Sequence, residues 1–214
     1  MGKELSEMTL QELWELFPIF LTEHKAYWHM WYEQERSWLQ NVLPMSSIKR
    51  IIHIGSTAIN GIWAKPVIDI LAEVKPGHDL KEIGNSVQAA GYVIMSSDDK
   101  RISLNKGYTP SGFAEKVFHL HVRYQNDNDE LYFRDYLNES PDTARQYEEL
   151  KLRLWPEYEH DRDGYTSGKT DFIKRYTAEA VLLFGSRYRG YLAEGPAISL
   201  RYRRPAAKYA AGLF

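Results

Sequence analysis

The residues best suited to chemistry lie in the segment HIGSTAINGIWAKPVIDIL, which runs from His53 to Leu71. A Gly55–Ser56 turn follows a predicted apolar strand, and Asp69 lies in the next predicted strand, thirteen positions beyond the serine. Glycine allows a tight turn, Ser56 and Thr57 add hydroxyls, and a helix that starts there directs free N–H groups at an anion. We therefore predict a phosphate site at the turn, with Asp69 holding a metal ion against the phosphate. The alternative is a polar turn beside a buried, hydrogen-bonded aspartate.

Strand alternation brings two histidines to the same aspartate. Successive side chains of a strand point to opposite faces, so His119, His121 and Arg123 share one face of the predicted strand Val117–Tyr124. Histidines at i and i+2 are about 6.6 to 6.8 Å apart, which suits the binding of one ion. One of them could instead act as a general acid or base. We predict that Asp69, His119 and His121 form the catalytic and metal-binding group; a pair of hydrogen-bonded sheet histidines is the alternative.

Several cationic residues are available to bind phosphate. Arginine offers a planar fork that matches phosphate oxygens, and lysine offers a point charge. Each of them taken singly also fits ordinary solvated surface charge. The predicted phosphate- or nucleotide-binding cations are Lys65, Arg123, Arg134 and Lys169.

Five motifs in a fixed order resemble those of one family. After HIGSTAINGIWAKPVIDI come HLHV at His119–Val122, FRDYL at Phe133–Leu137, DRDGYTSGK at Asp161–Lys169 and FI at Phe172–Ile173. This order and spacing are similar to those of the GrpB family over roughly residues 10 to 184. That family is placed among the polymerase-β-like nucleotidyltransferases.

The resemblance implies a fold and an activity. The implied fold is α/β (α+β), nucleotidyltransferase-like, with a small mixed β-sheet flanked by helices from both termini. The implied function is a metal-assisted nucleotidyltransferase that acts on a nucleotide or a phosphorylated small molecule. The implied cofactors are a divalent ion (Mg, Mn or Zn) and a nucleoside triphosphate.

The sequence departs from working nucleotidyltransferases at one important position. Those enzymes pair two carboxylates one residue apart on this strand, and two metal ions then support the transfer. Here Leu71 occupies the second position and cannot bind a metal. A single aspartate with imidazoles suits Zn²⁺ or Mn²⁺ better than Mg²⁺, which prefers oxygen ligands. The alternative function is therefore a non-catalytic domain that binds a nucleotide or a partner through a degenerate site.

Composition limits the other possibilities. The chain has 214 residues, a formal net charge of -2 and no cysteine, which excludes disulfides and thiolate metal sites. The charge gives no reason to expect a nucleic-acid partner, and no long apolar run predicts a membrane span. We expect a cytoplasmic protein.

Chain organisation predicts one domain and an appendage. Residues 1–185 form the predicted GrpB-like domain, with Pro18 dividing the N-terminal helices and Ser140 capping a helix that begins at Pro141. Residues 186–214 form a basic C-terminal extension with six Lys and Arg residues and one acid. Apolar alternation at Ile198 and Leu200 favours docking on the protein itself or in a homodimer; a nucleic-acid-binding arm is the alternative.

Overall fold

A computed structural model describes residues 3–185 and 187–188, and within these residues the chain forms six α-helices and five strands. The strands lie in the middle of the chain, where one helix interrupts them, and the other helices come before and after. In chain order they are α1 (Leu10–Leu16), α2 (Tyr27–Val42), β1 (Ile48–Ile54), β2 (Val67–Val74), α3 (Leu80–Ala89), β3 (Val93–Ser97), β4 (Arg101–Thr109), β5 (Gly112–Tyr124), α4 (Asp129–Glu139), α5 (Pro141–Glu157) and α6 (Arg162–Phe184).

The strands form one mixed sheet in the order β1-β2-β5-β4-β3. Only β2 and β5 pair in parallel, and the other neighbours are antiparallel. Their register places Asp69 opposite His119 and Leu71 opposite His121. Because paired residues on adjacent strands point to the same face, the predicted convergence of the aspartate with the histidines is confirmed.

The two faces of the sheet have different neighbours. Alternate residues of β2, such as Ile68 and Ile70, pack with buried residues of α2 and α3 in the main hydrophobic core. On the other face, Leu71 packs against Leu131 of α4. The predicted mixed α+β fold with flanking helices from both ends of the chain is confirmed.

Helix boundaries mostly follow local sequence signals. The side chain of Thr9 accepts a hydrogen bond from the Glu12 backbone at the start of α1, and Asp161 caps α6 by accepting from Gly164. Ser140 lies at the N-cap position of α5, but its side chain makes no capping hydrogen bond, so the predicted Ser140 cap is wrong in that respect. Pro141, whose φ is already helical, still provides the start.

Strands β4 and β5 extend further than the sequence predicts. The predicted strand 101–106 ends before Gly107, yet β4 continues to Thr109 through a register shift between Lys106 and Tyr108. Gly107 has φ 95°, and a Cβ there would overlap the carbonyl of Lys116. The glycine therefore allows a bulge that places Tyr108 within hydrogen-bonding distance of His119.

No helix within residues 3–185 combines the length and apolar character needed to cross a bilayer.

Candidate functional site

The Gly-Ser turn lies directly against the aspartate. Gly55 has φ 73° and ψ -175°, a conformation that is essentially restricted to glycine. A Cβ at this position would overlap the carboxylate of Asp69. Both the backbone conformation and the close approach therefore require glycine, which brings the main chain of the turn into contact with the Asp69 carboxylate.

The sequence predicts a helix after the turn that binds an anion at its N-terminus. The helix in the structure is too short to form such a site. Ser56–Ala58 forms a single 3₁₀ turn of three residues. Burial raises the pKa of Tyr147 of α5 to about 12, and the half-buried Ser56 side chain near its hydroxyl opposes the shift. Thr57 is buried, and its hydroxyl bonds the Val67 carbonyl at 3.0 Å and the His53 ring at 2.9 Å. Of the two hydroxyls predicted to bind phosphate, that of Ser56 faces α5. That of Thr57 links β1 to β2 through its two hydrogen bonds.

A chain of hydrogen bonds runs across the polar face of the sheet. His119 Nδ1 lies 3.1 Å from Asp69 Oδ1, and His119 Nε2 lies 2.8 Å from the Tyr108 hydroxyl. Arg162 Nη2 of α6 donates to that hydroxyl at 3.0 Å. Because arginine only donates and an ionised carboxylate only accepts, the tautomer we assign to His119 carries its proton on Nδ1. Tyr108 then donates to Nε2, so both ring nitrogens of His119 are engaged.

The ionisation of this group follows from burial and mutual contact. Burial by itself would raise the pKa of Asp69, but the hydrogen bond with His119 and the proximity of the His121 ring lower that pKa well below its usual range. Burial lowers the pKa of His119 to about 4, although Asp69 opposes the shift. At neutral pH the site therefore contains an ionised aspartate next to a neutral His119.

His121 is less firmly held than His119. Its Nε2 lies 3.7 Å from Asp69 Oδ1, too long for a hydrogen bond of normal length. Its Nδ1 is buried and has no hydrogen-bond partner among residues 3–185 and 187–188. The two imidazoles, with centroids 6.5 Å apart, thus approach one oxygen of the same carboxylate.

Two of the predicted cations reach the site. Lys65 precedes β2, and Lys169 lies two turns beyond Arg162 on α6, so that these α6 residues share a face of the helix. Burial, followed by the positive charges of Arg162 and Lys169, lowers the pKa of Lys65 well below its usual range. Burial lowers the pKa of Lys169 to about 8, with Asp69 opposing the shift and Arg162 adding to it. The charges of Lys65, Arg162 and Lys169 therefore act on one another around Asp69.

The other two predicted cations are engaged elsewhere. Arg123 is buried and forms an ion pair with Glu130 at 2.6 Å. Arg134 binds Asp135 at 2.6 Å and donates to the His53 carbonyl. Their partners neutralise them, so neither joins the cations around Asp69.

The loop before Lys65 is held by α5. The backbone N–H of Trp63 donates to Glu148 at 2.6 Å, and its carbonyl accepts from the buried Lys151. Burial lowers the pKa of Lys151 to about 7, and the neighbouring charge of Lys169 adds to the shift. Two side chains one helical turn apart thus fix the peptide that leads into Lys65.

Sequence reasoning missed three residues of the site: Tyr108, Tyr147 and Arg162. Gly107 within a strand pattern was the available signal for Tyr108, because such glycines often indicate bulges. Arg162 lies in the DRDGYTSGK motif, seven residues before Lys169, a spacing that puts both on one helix face. The approach of Tyr147 to Ser56 depends on how α5 packs, and no local pattern predicted it.

The donor set does not fit the predicted metal ion. Among residues 3–185 and 187–188, no group of three or more His, Cys, Asp and Glu residues could hold one. Leu71 is buried at the second carboxylate position, and Glu73 is fully buried against Asn128 and Arg50. A metal at His119 would also have to displace Tyr108 or the direct contact with Asp69.

The fold and the site define an α+β protein with one carboxylate and two imidazoles on the sheet, and with cations from the last helix and from the loop before β2. The family described as "GrpB protein" matches residues 18–179. The chain belongs to the GrpB family.

Individual relatives agree with this membership. The glutamate-rich protein GrpB of Alkalihalophilus pseudofirmus is 36% identical over 162 residues, which cover 72% of this chain and 91% of the relative. The crystal structure of the conserved protein GrpB from Enterococcus faecalis matches with a TM-score of 0.66 and 30% identity, over 77% of this chain and 99% of that one. The chain spans about half the length of other curated relatives that it matches.

A weaker likeness is to a nucleotidyltransferase. The Cid1 poly(U) polymerase matches with a TM-score of 0.44 and 9% identity, over 68% of this chain and 44% of that one. A likeness at this level says nothing about the activity of the present chain.

Proposed function

We propose that this protein binds a nucleotide or another phosphorylated small molecule beside Asp69, between the polar face of the sheet and helices α5 and α6. The observation that carries the proposal is the grouping of three cations around one carboxylate: the charges of Lys65 and Lys169 act on Asp69, and Arg162 is linked to it through Tyr108 and His119. A phosphate group, with several oxygens and at least one negative charge, matches lysine and arginine donors. This corresponds to a binding domain with a degenerate nucleotidyltransferase site.

A transferase acting on the same class of ligand is the second candidate. It is favoured by the position of His119 between Asp69 and Tyr108, which orients a neutral imidazole as in a general acid–base group. The metal-assisted form implied by the family resemblance would add a Lewis acid that polarises phosphate oxygens. The donors around Asp69 do not favour that form.

A thermal-shift screen of nucleotides and phosphorylated metabolites tests the proposal. A ligand that binds only the folded protein must raise the unfolding midpoint. We expect phosphate-bearing compounds to raise it and the corresponding nucleosides to have a smaller effect. If no phosphorylated compound shifts the midpoint of the full chain, the proposed function is wrong.

Asp69→Asn separates the two candidates. If the protein only binds its ligand, the substitution changes the charge that faces the ligand. If the protein is a transferase, the substitution also removes the carboxylate that orients His119 for catalysis. Product formation from a nucleoside triphosphate in the wild type, lost in Asp69→Asn while nucleotide binding persists, supports the transferase. Binding without turnover under every metal condition supports the binding domain.

A further inference from the structure

Within the described part of the chain, the three cations around Asp69 are not paired with a carboxylate. None of Lys65, Arg162 and Lys169 forms an ion pair within 4.0 Å among residues 3–185 and 187–188, whereas eight arginines outside this group do. One N–H group of Arg162 donates to the Tyr108 hydroxyl, and the Lys169 ammonium lies 4.1 Å from the centre of the Tyr165 ring. The negative charge of Asp69 acts on both lysines, but this carboxylate already accepts a hydrogen bond from His119.

This arrangement is unfavourable without an anion. Three positive groups in a partly buried region repel one another, and this repulsion adds to burial in lowering the pKa of Lys65 and that of Lys169 below the ordinary value for lysine. An anion among them would remove the repulsion and supply acceptors for their free N–H groups. A divalent cation at Asp69 would add two more positive charges to the same region.

We propose that the phosphate of the ligand binds directly to Lys65, Arg162 and Lys169, with no divalent metal ion between it and Asp69. The inference rests on the proposed function and specifies its ligand as a phosphate group with at least two negative charges. In this arrangement three side chains take the place that metal ions hold in a two-carboxylate site.

The chemistry of the three groups suits such a ligand. The guanidinium of Arg162 has five N–H donors, of which Tyr108 uses one, so a pair of phosphate oxygens can still be bound side by side. Lysines add point charges from two different elements, the loop before β2 and helix α6. The hydroxyls of Ser56 and Tyr147 offer additional donors near Asp69.

Calorimetric titration of inorganic pyrophosphate into the full chain, in excess EDTA and in Mg²⁺, tests the inference. We expect binding in EDTA at least as tight as in Mg²⁺. Lys169→Gln should weaken it about tenfold or more, because a charge-assisted hydrogen bond is lost. Lys174→Gln, on an exposed position of the same helix, is the matched control and should leave the affinity unchanged.

The variant Lys169→Arg distinguishes a loss of the binding charge from a loss of folding. It keeps the positive charge, so its affinity should return to within a few-fold of wild type, whereas a merely structural lysine would not be rescued in this way. The unfolding midpoint of each variant is measured alongside.

The outcomes separate this inference from the proposed function. Pyrophosphate that binds only with Mg²⁺, or that binds equally well to Lys169→Gln, overturns the inference and leaves phosphate binding intact. If neither pyrophosphate nor any nucleotide binds with or without metal, both proposals fail. Binding in EDTA that depends on Lys169 but not on Lys174 supports both.

Discussion

At the scale of single residues, the contact between Gly55 and Asp69 constrains the site most tightly. The turn brings backbone to within van der Waals distance of the carboxylate, so position 55 has no room for a side chain. Gly61, in the same loop, has nearly the same φ of 74°, but no atom lies within 4 Å of the place that a Cβ would take there. The two glycines therefore separate the effect of backbone strain from that of a steric clash.

Gly55→Ala is expected to destabilise the protein more than Gly61→Ala. A non-glycine residue in a sparsely populated conformation costs about 1 to 3 kcal/mol, and only position 55 adds displacement of Asp69. Urea denaturation gives the free energy of unfolding of both variants. Equal losses of unfolding free energy in the two variants would show that glycine is required at position 55 only for its backbone conformation.

Two histidines, the buried His53 and the partly buried His119, should make the stability of the protein sensitive to acid. Burial lowers the pKa of both His53 and His119 to about 4, from 6.5. Between these values the unfolded chain binds protons that the folded protein does not, so the free energy of unfolding falls as the pH drops from about 6.5 to 4. At about 1.4 kcal/mol per pKa unit, each histidine accounts for about 3 kcal/mol.

His119→Gln tests this pH dependence, because glutamine does not titrate. We expect the variant to lose less stability than wild type between pH 7 and pH 4.5 in urea titrations. His160→Gln is the control, since His160 is an exposed residue outside the site. A wild-type and a His119→Gln protein with parallel pH profiles would contradict the lowered pKa of His119.

At the scale of elements, local patterns predicted most of the strands and helices, and they failed where a contact in three dimensions decides the outcome. Alternation in β2 and β5 identified the faces of Asp69 and His119 because burial on one side leaves a period of two in the sequence. Gly107 resembles a strand end, yet the close packing of β4 on Lys116 continues the strand through it. Tyr108 was missed for that reason.

The first described residues of the C-terminal extension dock on α4. Arg187 binds Asp135 at 3.0 Å and Glu139 at 2.9 Å, and the Tyr188 hydroxyl bonds Asp135. Tyr188 also packs edge-on against Tyr132. These contacts hold Arg187 and Tyr188 on α4; the apolar segment for which docking is predicted, including Ile198 and Leu200, lies outside the described residues, so that docking stays a prediction.

Tyr188→Ala should lower the free energy of unfolding by about 1 to 3 kcal/mol, because it removes a hydrogen bond to a charged group and an aromatic contact. Leu182→Ala, with its residue 78% exposed near the end of α6, should change it by less than about 0.5 kcal/mol. Thermal and chemical denaturation of both variants give the comparison. An unchanged Tyr188→Ala protein would mean that the docking seen at Asp135 adds no stability.

At the scale of the whole molecule, the site is assembled from the sheet, the loops that precede its strands and the C-terminal helices. Gly55, Ser56, Asp69 and the two histidines were predictable from motifs and strand faces, and Lys65 and Lys169 from the family resemblance. The assignment of Arg123 and Arg134 to the phosphate was not supported, because their neutralising partners, Glu130 and Asp135, are fixed by tertiary packing. Charge near a motif indicates a ligand only when no partner carboxylate lies beside it.

The division into a domain at 1–185 and an extension at 186–214 remains a prediction, and truncation tests it. The extension has a formal charge of +5 (six basic residues minus one acid), against -2 for the chain. We expect a protein ending at Tyr188 to have a lower unfolding midpoint or to dissociate from an oligomer, as judged by its mass in solution. Phosphate binding beside Asp69 should be retained. Unchanged midpoint and mass would identify residues 189–214 as a free basic arm.

The wide spacing of the site residues along the chain has a consequence for the order in which the protein folds. Asp69 and His119 are 50 positions apart, and Tyr108 and Arg162 are 54 apart. Contacts this distant require large loops to close, which slows their formation relative to hairpins and helices. A chain emerging from the ribosome can pair β4 with β5 early, but it cannot complete the group of cations around Asp69 until α6 has been synthesised. Ligand recognition is therefore among the last properties that the growing chain acquires.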